Sequence, residues 1–249
     1  MFTGIVQGTA TIEDIADKGE MRTLVLNFPE GFCDGLEIGA SVSVDGVCLT
    51  VTELLPPNRA SFDVILQSLR VTTLGGIPTL GAVDVERAAK DGAEIGGHPM
   101  SGHIDFSARV DSIVASDANK MIRIAIPPEF RRYIFPKGYI GINGCSLTVS
   151  DVNRAEGWIE IWLIPETRRM TTLDDKAVGD MLNIEIERGT QVIVDTVRES
   201  VEGSLGQLKP LLEAIVAQQG LSIEDLIRLP SLQGAGSVAK LTSRSGSGD

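Results

Sequence analysis

Two residues with nucleophilic side chains stand at matching places in two similar stretches of this 249-residue chain. Cys48 lies in DGVCLTVTEL (45–54), and Ser146 lies 98 positions further on, in NGCSLTVSDV (143–152). A thiol and a hydroxyl at equivalent points indicate two equivalent ligand sites, in which either group adds to a bound molecule or holds a water that does so. Taken alone, Cys48 would more often be a small buried apolar residue, so the interpretation depends on the pairing.

The similarity extends outward from these two stretches at the same spacing. TGIVQGTATIEDI (3–15) aligns with SGHIDFSARVDSI (101–113), and after a slip of one residue ILQSLRVTTL (65–74) aligns with IPETRRMTTL (164–173). This period is too long for a solenoid repeat and is typical of a duplicated small domain. The sequence therefore predicts two homologous halves.

Each half is organised as short runs in which apolar and polar residues alternate. In the first half these runs are TLVLNF (23–28), SVSVDG (41–46), CLTVTEL (48–54) and ASFDVIL (60–66). Alternation over a few residues, interrupted by Gly, Asp, Asn and Pro, predicts a small antiparallel barrel. Asp45-Gly46 and Asn143-Gly144 predict tight hairpin turns, which place Cys48 and Ser146 just after a turn.

The remainder of the chain has helical spacing. Val194, Val197, Val201, Leu205 and Leu208 predict a helix that Pro210 interrupts, followed by a second helix in PLLEAIVAQQG. Ser222 offers an N-cap for a third helix, which Pro230 ends, and the Gly- and Ser-rich residues 231–249 are predicted to be disordered. Helices outside two barrels most often join chains into an assembly; the alternative is a brace within one chain.

Composition excludes several classes of protein. A net charge of −12, with 22 scattered Lys and Arg residues, argues against nucleic acid as a partner. Three cysteines without CxxC spacing favour a reducing cytoplasm, and neither a leader nor a membrane span is predicted. His98 and His103 form an HxxxxH pattern without a carboxylate or thiol at ligand spacing, so no metal site is expected.

Five motifs in order carry a family resemblance: MFTGIVQG, DGVCLTV, EIGGHPMSGHID, GINGCSLTV and LIPETRRMTTL. Together they make residues 1–195 resemble riboflavin synthase of the duplicated-barrel type. The resemblance implies an all-β fold of two tandem six-stranded antiparallel Greek-key barrels with a C-terminal helix through which three chains associate. The expected domains are 1–97 and 98–193 for the lumazine-binding barrels, 194–230 for the helical segment and 231–249 for the tail.

The resemblance also implies a reaction that needs no metal or redox cofactor. Two molecules of 6,7-dimethyl-8-ribityllumazine dismutate, giving riboflavin and 5-amino-6-(ribitylamino)pyrimidinedione. Each barrel would bind one lumazine, and the productive site would form between the N-terminal barrel of one subunit and the C-terminal barrel of its neighbour. The alternative is a non-catalytic lumazine- or flavin-binding protein that serves as an optical antenna.

The expected catalytic residues are Cys48, Ser146, His103 and Lys137. By the resemblance, the ligand site in the first half and its junction would be lined by Gly4, Ile5, Val6, Cys48, Leu49, Thr50, Asp63, Val64, Ile65, Leu66, Gln67, Ser68, Gly102, His103 and Ile104. In the second half the lining would be Lys137, Ser146, Leu147, Thr148, Leu163, Ile164, Pro165, Glu166, Thr167 and Arg168. His103 would relay a proton near neutral pH, or would only hydrogen-bond within the interface.

Overall fold

A computed structural model describes residues 1–76, 81–116 and 119–218 of the chain. The strands of the first half are β1 (Gly8–Lys18), β2 (Met21–Asn27), β3 (Ser41–Val44), β4 (Val47–Leu55), β5 (Arg59–Ile65) and β6 (Ala82–Arg87). Those of the second half are β7 (Phe106–Ala115), β8 (Lys120–Ala125), β9 (Tyr139–Ile142), β10 (Cys145–Asn153), β11 (Trp158–Leu163) and β12 (Met181–Ile186). The α-helices of the described residues are α1 (Leu66–Val71), α2 (Pro165–Met170) and α3 (Arg188–Gln218).

Each half closes into one six-stranded antiparallel barrel. Around the first barrel the strands follow the order β1-β2-β5-β4-β3-β6, and the second barrel has the equivalent order β7-β8-β11-β10-β9-β12. Strands β3, β4 and β5 pair in succession, but β3 lies beside β6 and not beside β2, the strand that precedes it in the chain. This is a Greek-key arrangement. The predicted fold class is confirmed.

The two halves also share the positions of their β-bulges. β1 shifts its register against β2 between Ile12 and Asp14, and β7 shifts against β8 between Val110 and Ser112. These two bulges lie at equivalent positions of the repeat. A bulge bends its strand and increases the local twist, which helps a short sheet to close on itself. The repeat therefore preserves backbone geometry as well as side-chain pattern.

The side chains that point inward form one hydrophobic core in each barrel. Leu49, Phe62 and Val64 belong to the first core, while Leu147 and Leu163 belong to the second. All five are buried because alternate residues of a barrel strand face the interior. Their neighbours along each strand face outward and are the ones available to a ligand.

The two halves exchange the segments that precede their first strands. Phe2 and Met100 pair as an antiparallel bridge, with the Phe2 amide donating to the Met100 carbonyl at 2.8 Å and the reverse bond at 3.0 Å. Beyond this bridge, Val6 is buried in the core of the second barrel, and Ile104 packs against the core of the first. Each barrel thus receives side chains from the other half of the sequence.

The C-terminal helix differs from its sequence-based prediction in two ways. α3 begins at Arg188, earlier than Val194, because the Glu187 carboxylate accepts hydrogen bonds from the amides of Gly189 (2.8 Å) and Thr190 (2.6 Å) in the first turn. Pro210 lies inside α3 instead of separating two helices. The predicted third helix and the tail at 231–249 lie outside the described residues. Among the helices that the structure describes, none is long and apolar enough to span a membrane.

Candidate active site

Two tight turns meet at the junction between the barrels. Asp45 and Asn143 have φ angles of 44° and 47°, and the glycines that follow them have φ angles of 83° and 82°. These left-handed pairs are the turn geometry expected for Asp-Gly and Asn-Gly hairpins. A Cβ atom on Gly46 would lie 2.7 Å from the amide nitrogen of Gly144, so the two turns are in contact. Strands β4 and β10, which carry Cys48 and Ser146, therefore both start at this junction.

Ser146 is surrounded by backbone from the first half of the sequence. Its amide donates a hydrogen bond to the carbonyl of Gly4 at 2.8 Å. A Cβ atom on Gly4 would lie 2.5 Å from the Ser146 Cβ, and one on Gly97 would lie 2.6 Å from it. Only glycine permits so close an approach, and at Gly4 the φ angle of +76° favours glycine as well.

The hydroxyl of Ser146 has a histidine partner that the sequence did not identify. His98 Nδ1 lies 2.6 Å from Ser146 Oγ, and the His98 ring stacks on Tyr139 with the centroids 5.2 Å apart. Burial lowers the pKa of His98, an effect that the carboxylate of Glu187 opposes. The imidazole is therefore neutral at pH 7, and its Nδ1 can accept the serine proton.

In the sequence, His98 is the first histidine of the HxxxxH pattern, a spacing that bears on metal binding and not on a serine partner. His98 is 3% exposed, while His103 is exposed at the surface. Within the described residues, no group of three or more His, Cys, Asp or Glu side chains is placed to hold a metal ion. Its hydrogen bond to Ser146 makes His98 a candidate general base.

Cys48 has an equivalent environment built from the second half. Its amide donates to the carbonyl of Gly102 at 2.8 Å, and a Cβ atom on Gly102 would lie 2.6 Å from the Cys48 Cβ. An adjoining cavity of about 430 Å³ brings together Cys48 and His103 with Glu185 and Arg188. Cys145, by contrast, is buried, and burial raises the pKa of its thiol to about 12, so Cys48 is the more available nucleophile of the two.

Two buried carboxylates hold the exchanged loops in place. Glu86 accepts hydrogen bonds from the Thr3 amide (2.6 Å), the Thr3 hydroxyl (2.7 Å) and the Gly4 amide (3.0 Å). In the other barrel, Glu185 accepts the equivalent bonds from Ser101 and from the Gly102 amide, at 2.7, 2.7 and 3.0 Å. Burial raises the pKa of Glu86, against the effect of its hydrogen bonds to Thr3. The sequence match between VDVE (83–86) and LNIE (182–185) was the signal for this pair.

Because the segments before β1 and β7 each contact the opposite barrel, the predicted lining residues are grouped differently in the structure. The sequence placed Gly4 to Val6 with the site of the first half and its junction; in the structure Gly4 contacts Ser146, and Val6 lies in the second core. Gly102 and Ile104 lie at the first barrel, where Gly102 contacts Cys48. A second cavity, of about 560 Å³, lies along the first of these loops and is lined in part by Thr3, Ile5, Glu86, Lys90 and Gly96.

Strand alternation separates the predicted lining residues into two groups. Thr50 and Thr148 are exposed on the outer faces of β4 and β10, and Ile65 and Ile164 are 57% and 58% exposed at the ends of β5 and β11. The side chains of Leu49, Val64, Leu147 and Leu163 face the cores, so these residues can offer a ligand only backbone atoms. The predicted lining residues with exposed side chains therefore lie on the outer faces of the barrels.

Polar side chains near the end of β5 and just after β11 are already paired in part. Asp63 accepts a hydrogen bond from the Thr23 hydroxyl at 2.7 Å. At the equivalent end of the second barrel, Arg168 pairs with Asp174 at 2.8 Å, and the exposed Glu166 pairs with Arg169 at 2.6 Å. Leu66, Gln67, Ser68, Pro165 and Thr167 lie in α1 and α2 at these same ends of the barrels.

Lys137 stands out because of its backbone. It is exposed and has a φ angle of 66°, a left-handed conformation that costs a non-glycine residue about 1–2 kcal/mol. The equivalent position of the first barrel is Gly39, with a φ angle of 89°. The amide of Lys137 donates to the Val149 carbonyl at 2.7 Å, just beyond the pairing of Tyr139 with Thr148. The second barrel therefore has a lysine where the first barrel has a glycine.

The fold and site define a protein of two tandem ligand-binding barrels, and comparison with known proteins identifies the class. The profile of the family described as lumazine binding domain matches residues 3–88 and again residues 101–187. Crystal structures of LumP have the same fold: the complex with 6,7-dimethyl-8-(1'-D-ribityl) lumazine aligns with a TM-score of 0.69 and the complex with riboflavin with 0.70. Both alignments have 26% identity and cover 76% of this chain and 100% of LumP.

Sequence relatives narrow the class to one family. Riboflavin synthase of Escherichia coli (strain K12) is 48% identical over 198 residues, which are 79% of this chain and 92% of the relative. Riboflavin synthase of Buchnera aphidicola (subsp. Schizaphis graminum, strain Sg) is 37% identical over 209 residues, 84% of this chain and 99% of the relative. The chain belongs to the riboflavin synthase family.

Proposed function

We propose that this protein is a riboflavin synthase that dismutates two molecules of 6,7-dimethyl-8-ribityllumazine into riboflavin and 5-amino-6-(ribitylamino)pyrimidinedione. The observation that carries the proposal is the pair of equivalent sites at Cys48 and Ser146, each completed by a loop from the other half of the chain. A reaction between two copies of one substrate requires two such sites. The named relatives, which align over most of their length, support the same activity.

In this proposal the residues of the second site move a proton. Ser146 Oγ, hydrogen-bonded to the neutral His98, either adds to C7 of a bound lumazine or orients a water molecule that does so. His98 accepts the proton that is released and returns it later in the cycle. The C7 methyl group of the lumazine is itself acidic, because its anion is delocalised over the ring, so the protein mainly orients and desolvates its substrates.

Recognition in this proposal uses both apolar and polar surface. The exposed Ile65 and Ile164 provide faces for the ring, while Thr50 and Thr148 provide hydroxyls for the ring edge or the ribityl chain. Lys137 and His103 complete the set of groups that hold or move protons. Hydroxyls and backbone groups select a polyol-bearing ligand because they are left unpaired when a ligand without matching groups enters.

We further propose that three chains associate and that the working site lies between subunits. Each site is an outer face of a barrel, so a face-to-face pair of substrates needs a second barrel surface opposite the first. Considered by itself, helix α3 presents Val197, Val201 and Leu205 as exposed apolar side chains at a spacing of four residues. A stripe of this kind supports association of helices from different chains. Light scattering at micromolar concentration tests the assembly, and an active monomer would contradict it.

The cysteines and the net charge support a proposal for the location and the partners of the protein. Its three cysteines are free, which supports a reducing cytoplasm as its location. Its net charge of −12 disfavours association with nucleic acid or with anionic membranes. The partners in this proposal are therefore the small-molecule substrate and other copies of the chain.

The main test is the formation of riboflavin from the purified protein and 6,7-dimethyl-8-ribityllumazine, followed by fluorescence. Turnover in the parent and its loss in Ser146→Ala would support the proposal. LumP, whose structures contain bound lumazine and riboflavin, indicates the alternative, a binding protein without turnover. Binding of the lumazine without any riboflavin formed would favour that alternative. The retention of Cys48, Ser146 and His98 together favours the enzyme.

A further inference from the structure

The junction between the barrels contains two equivalent polar residues of different chemistry. Asp84 lies on β6, and Asn183 lies at the matching place on β12; both are buried. The Asp84 amide donates to Asp45 Oδ1 at 2.7 Å, and the Asn183 amide donates to Asn143 Oδ1 at 2.8 Å. The backbone at these two positions is therefore held in the same way, by the side chain of the nearby turn.

The side chains of the two residues reach across to the opposite half, again in parallel. Asn183 Oδ1 accepts the amide of Thr73 at 2.7 Å, and Asp84 Oδ1 accepts the amide of Thr172 at 2.7 Å. The Thr172 hydroxyl also donates a hydrogen bond to Asp84 Oδ2, at 3.2 Å. Each side chain thus uses one oxygen to accept a hydrogen bond from a backbone amide of the other half of the chain.

The second terminal atom is where the chemistry differs. Asn183 Nδ2 donates a hydrogen bond to the backbone carbonyl of Asp45 at 2.9 Å, which ties the second barrel to the turn of the first. At the matching place Asp84 has an oxygen, Oδ2, which has no hydrogen to donate while the carboxyl group is ionised. We propose that Asp84 is held as a neutral carboxylic acid, whose Oδ2 proton is donated across the junction to the carbonyl of Asn143, in the role of the Asn183 amide.

The charges around Asp84 are compatible with this arrangement. Asp45 faces it from the turn after β3, Lys176 from the segment before β12, and Cys145 from β10. Burial and the Asp45 carboxylate raise the pKa of Asp84 well above its usual value, whereas the hydrogen bonds from Thr172 and the charge of Lys176 lower it. Burial also raises the pKa of Asp45 to about 6. A single lysine near two buried carboxyls cannot stabilise two negative charges as well as one.

A proton on Asp84 would add a hydrogen bond between the two barrels and so stabilise their junction. The turns at Gly46 and Gly144 touch here, and strands β4 and β10 carry Cys48 and Ser146 away from the same point. Loss of the proton would remove the proposed hydrogen bond to the Asn143 carbonyl and would add a buried charge. The folded state binds this proton more tightly than the unfolded chain does, so stability should be greatest in mild acid and should fall as pH rises through the pKa of folded Asp84.

Infrared spectroscopy of protein with ¹³C-labelled aspartate tests the proposal directly. We expect a carboxylic acid C=O band at pH 7 in the parent that is missing from Asp84→Asn, a variant that supplies an amide where Asn183 already has one. Absence of the band from the parent at pH 7, or its persistence in Asp84→Asn, would overturn the assignment. If that variant does not fold, Asp45→Asn at pH 5 decides: the band must remain, because burial, the larger cause, still raises the pKa of Asp84 when Asp45 is gone, and its loss would assign the proton to Asp45.

Urea unfolding between pH 5 and pH 8 provides a second test. One proton taken up on folding changes the unfolding equilibrium constant by about tenfold per pH unit between the pKa of the aspartate in the unfolded chain and the higher pKa of folded Asp84. We expect Asp84→Asn to lose that contribution and the mirror variant Asn183→Asp to add one of the same sign. A parent and an Asp84→Asn variant with equal pH dependence would contradict the proposal.

Discussion

The amide of Cys48 donates a hydrogen bond to the carbonyl of Gly102 at 2.8 Å, although the two residues belong to different halves of the chain. The mirror bond, from the Ser146 amide to the Gly4 carbonyl, has the same length. Each candidate nucleophile is therefore positioned by the loop that precedes the other barrel's first strand. A substitution in the loop of one half should therefore alter the position of the candidate nucleophile in the other half.

Gly102→Ala tests this close approach, with Gly92→Ala as a matched control. Both glycines have a φ angle of +78°, but a Cβ on Gly102 would lie 2.6 Å from the Cys48 Cβ, whereas a Cβ on Gly92 would meet nothing within 4 Å. The left-handed backbone should cost each variant about 1–2 kcal/mol. Gly102→Ala should lose more stability than the control and most of its activity, as measured by thermal unfolding and riboflavin formation. Equal losses in the two variants would show that the contact does not matter.

Ser146 and His98 should behave as one catalytic unit. Removing general-base assistance typically lowers a rate by about 10²–10⁴-fold, and we expect losses of this size in Ser146→Ala and in His98→Gln. The double variant should be little slower than either single one, because residues that act together are not additive. Ser150→Ala is the control: it lies on the same strand, and its hydroxyl donates to the Glu160 carbonyl. Additive losses would contradict a shared role.

The dependence of turnover on pH should reflect the protonation of the His98 ring. Burial lowers the pKa of His98 from its usual value, so the acid limb of kcat should lie at a lower pH than a solvent-exposed histidine would give, because the protonated ring can no longer accept a proton from Ser146. The unfolded chain binds this proton more readily, so the contribution of His98 to stability rises with pH through this range. That is opposite in sign to the contribution expected from Asp84. His98→Gln should remove the acid limb, and a limb that persists would assign it to another group.

The carboxylates of Glu86 and Glu185 should each control the site of the opposite nucleophile. A glutamine at either position presents an amide NH₂ to backbone amides that need an acceptor, and leaving a buried donor unpaired costs about 1–3 kcal/mol. Glu185→Gln should change the rate at which Cys48 reacts with iodoacetamide, because it releases the Gly102 loop, while Glu86→Gln should leave that rate nearly unchanged. Peptide mass spectrometry separates Cys48 from Cys33 and Cys145. Equal effects of both variants on Cys48 would refute separate control.

The sequence by itself determined the local framework of this protein. Runs of alternating residues located β2 to β5 within a few residues, because a barrel strand must bury every second side chain. Asp45-Gly46 and Asn143-Gly144 located the two turns, since few residue pairs tolerate positive φ. The repeat made Cys48 and Ser146 equivalent. Each of these signals is contained in a short window of residues, which is why one sequence was sufficient.

Tertiary structure decided which halves of the chain build each site. The bridge between Phe2 and Met100, and the transfer of Val6 and Ile104 to opposite cores, depend on pairings between segments about a hundred residues apart, and no local pattern encodes such partners. The same holds for His98, whose spacing resembled a metal motif until the fold placed its ring beside the Ser146 hydroxyl. The proton proposed for Asp84 likewise depends on burial at the junction, because an aspartate in water would be ionised at pH 7.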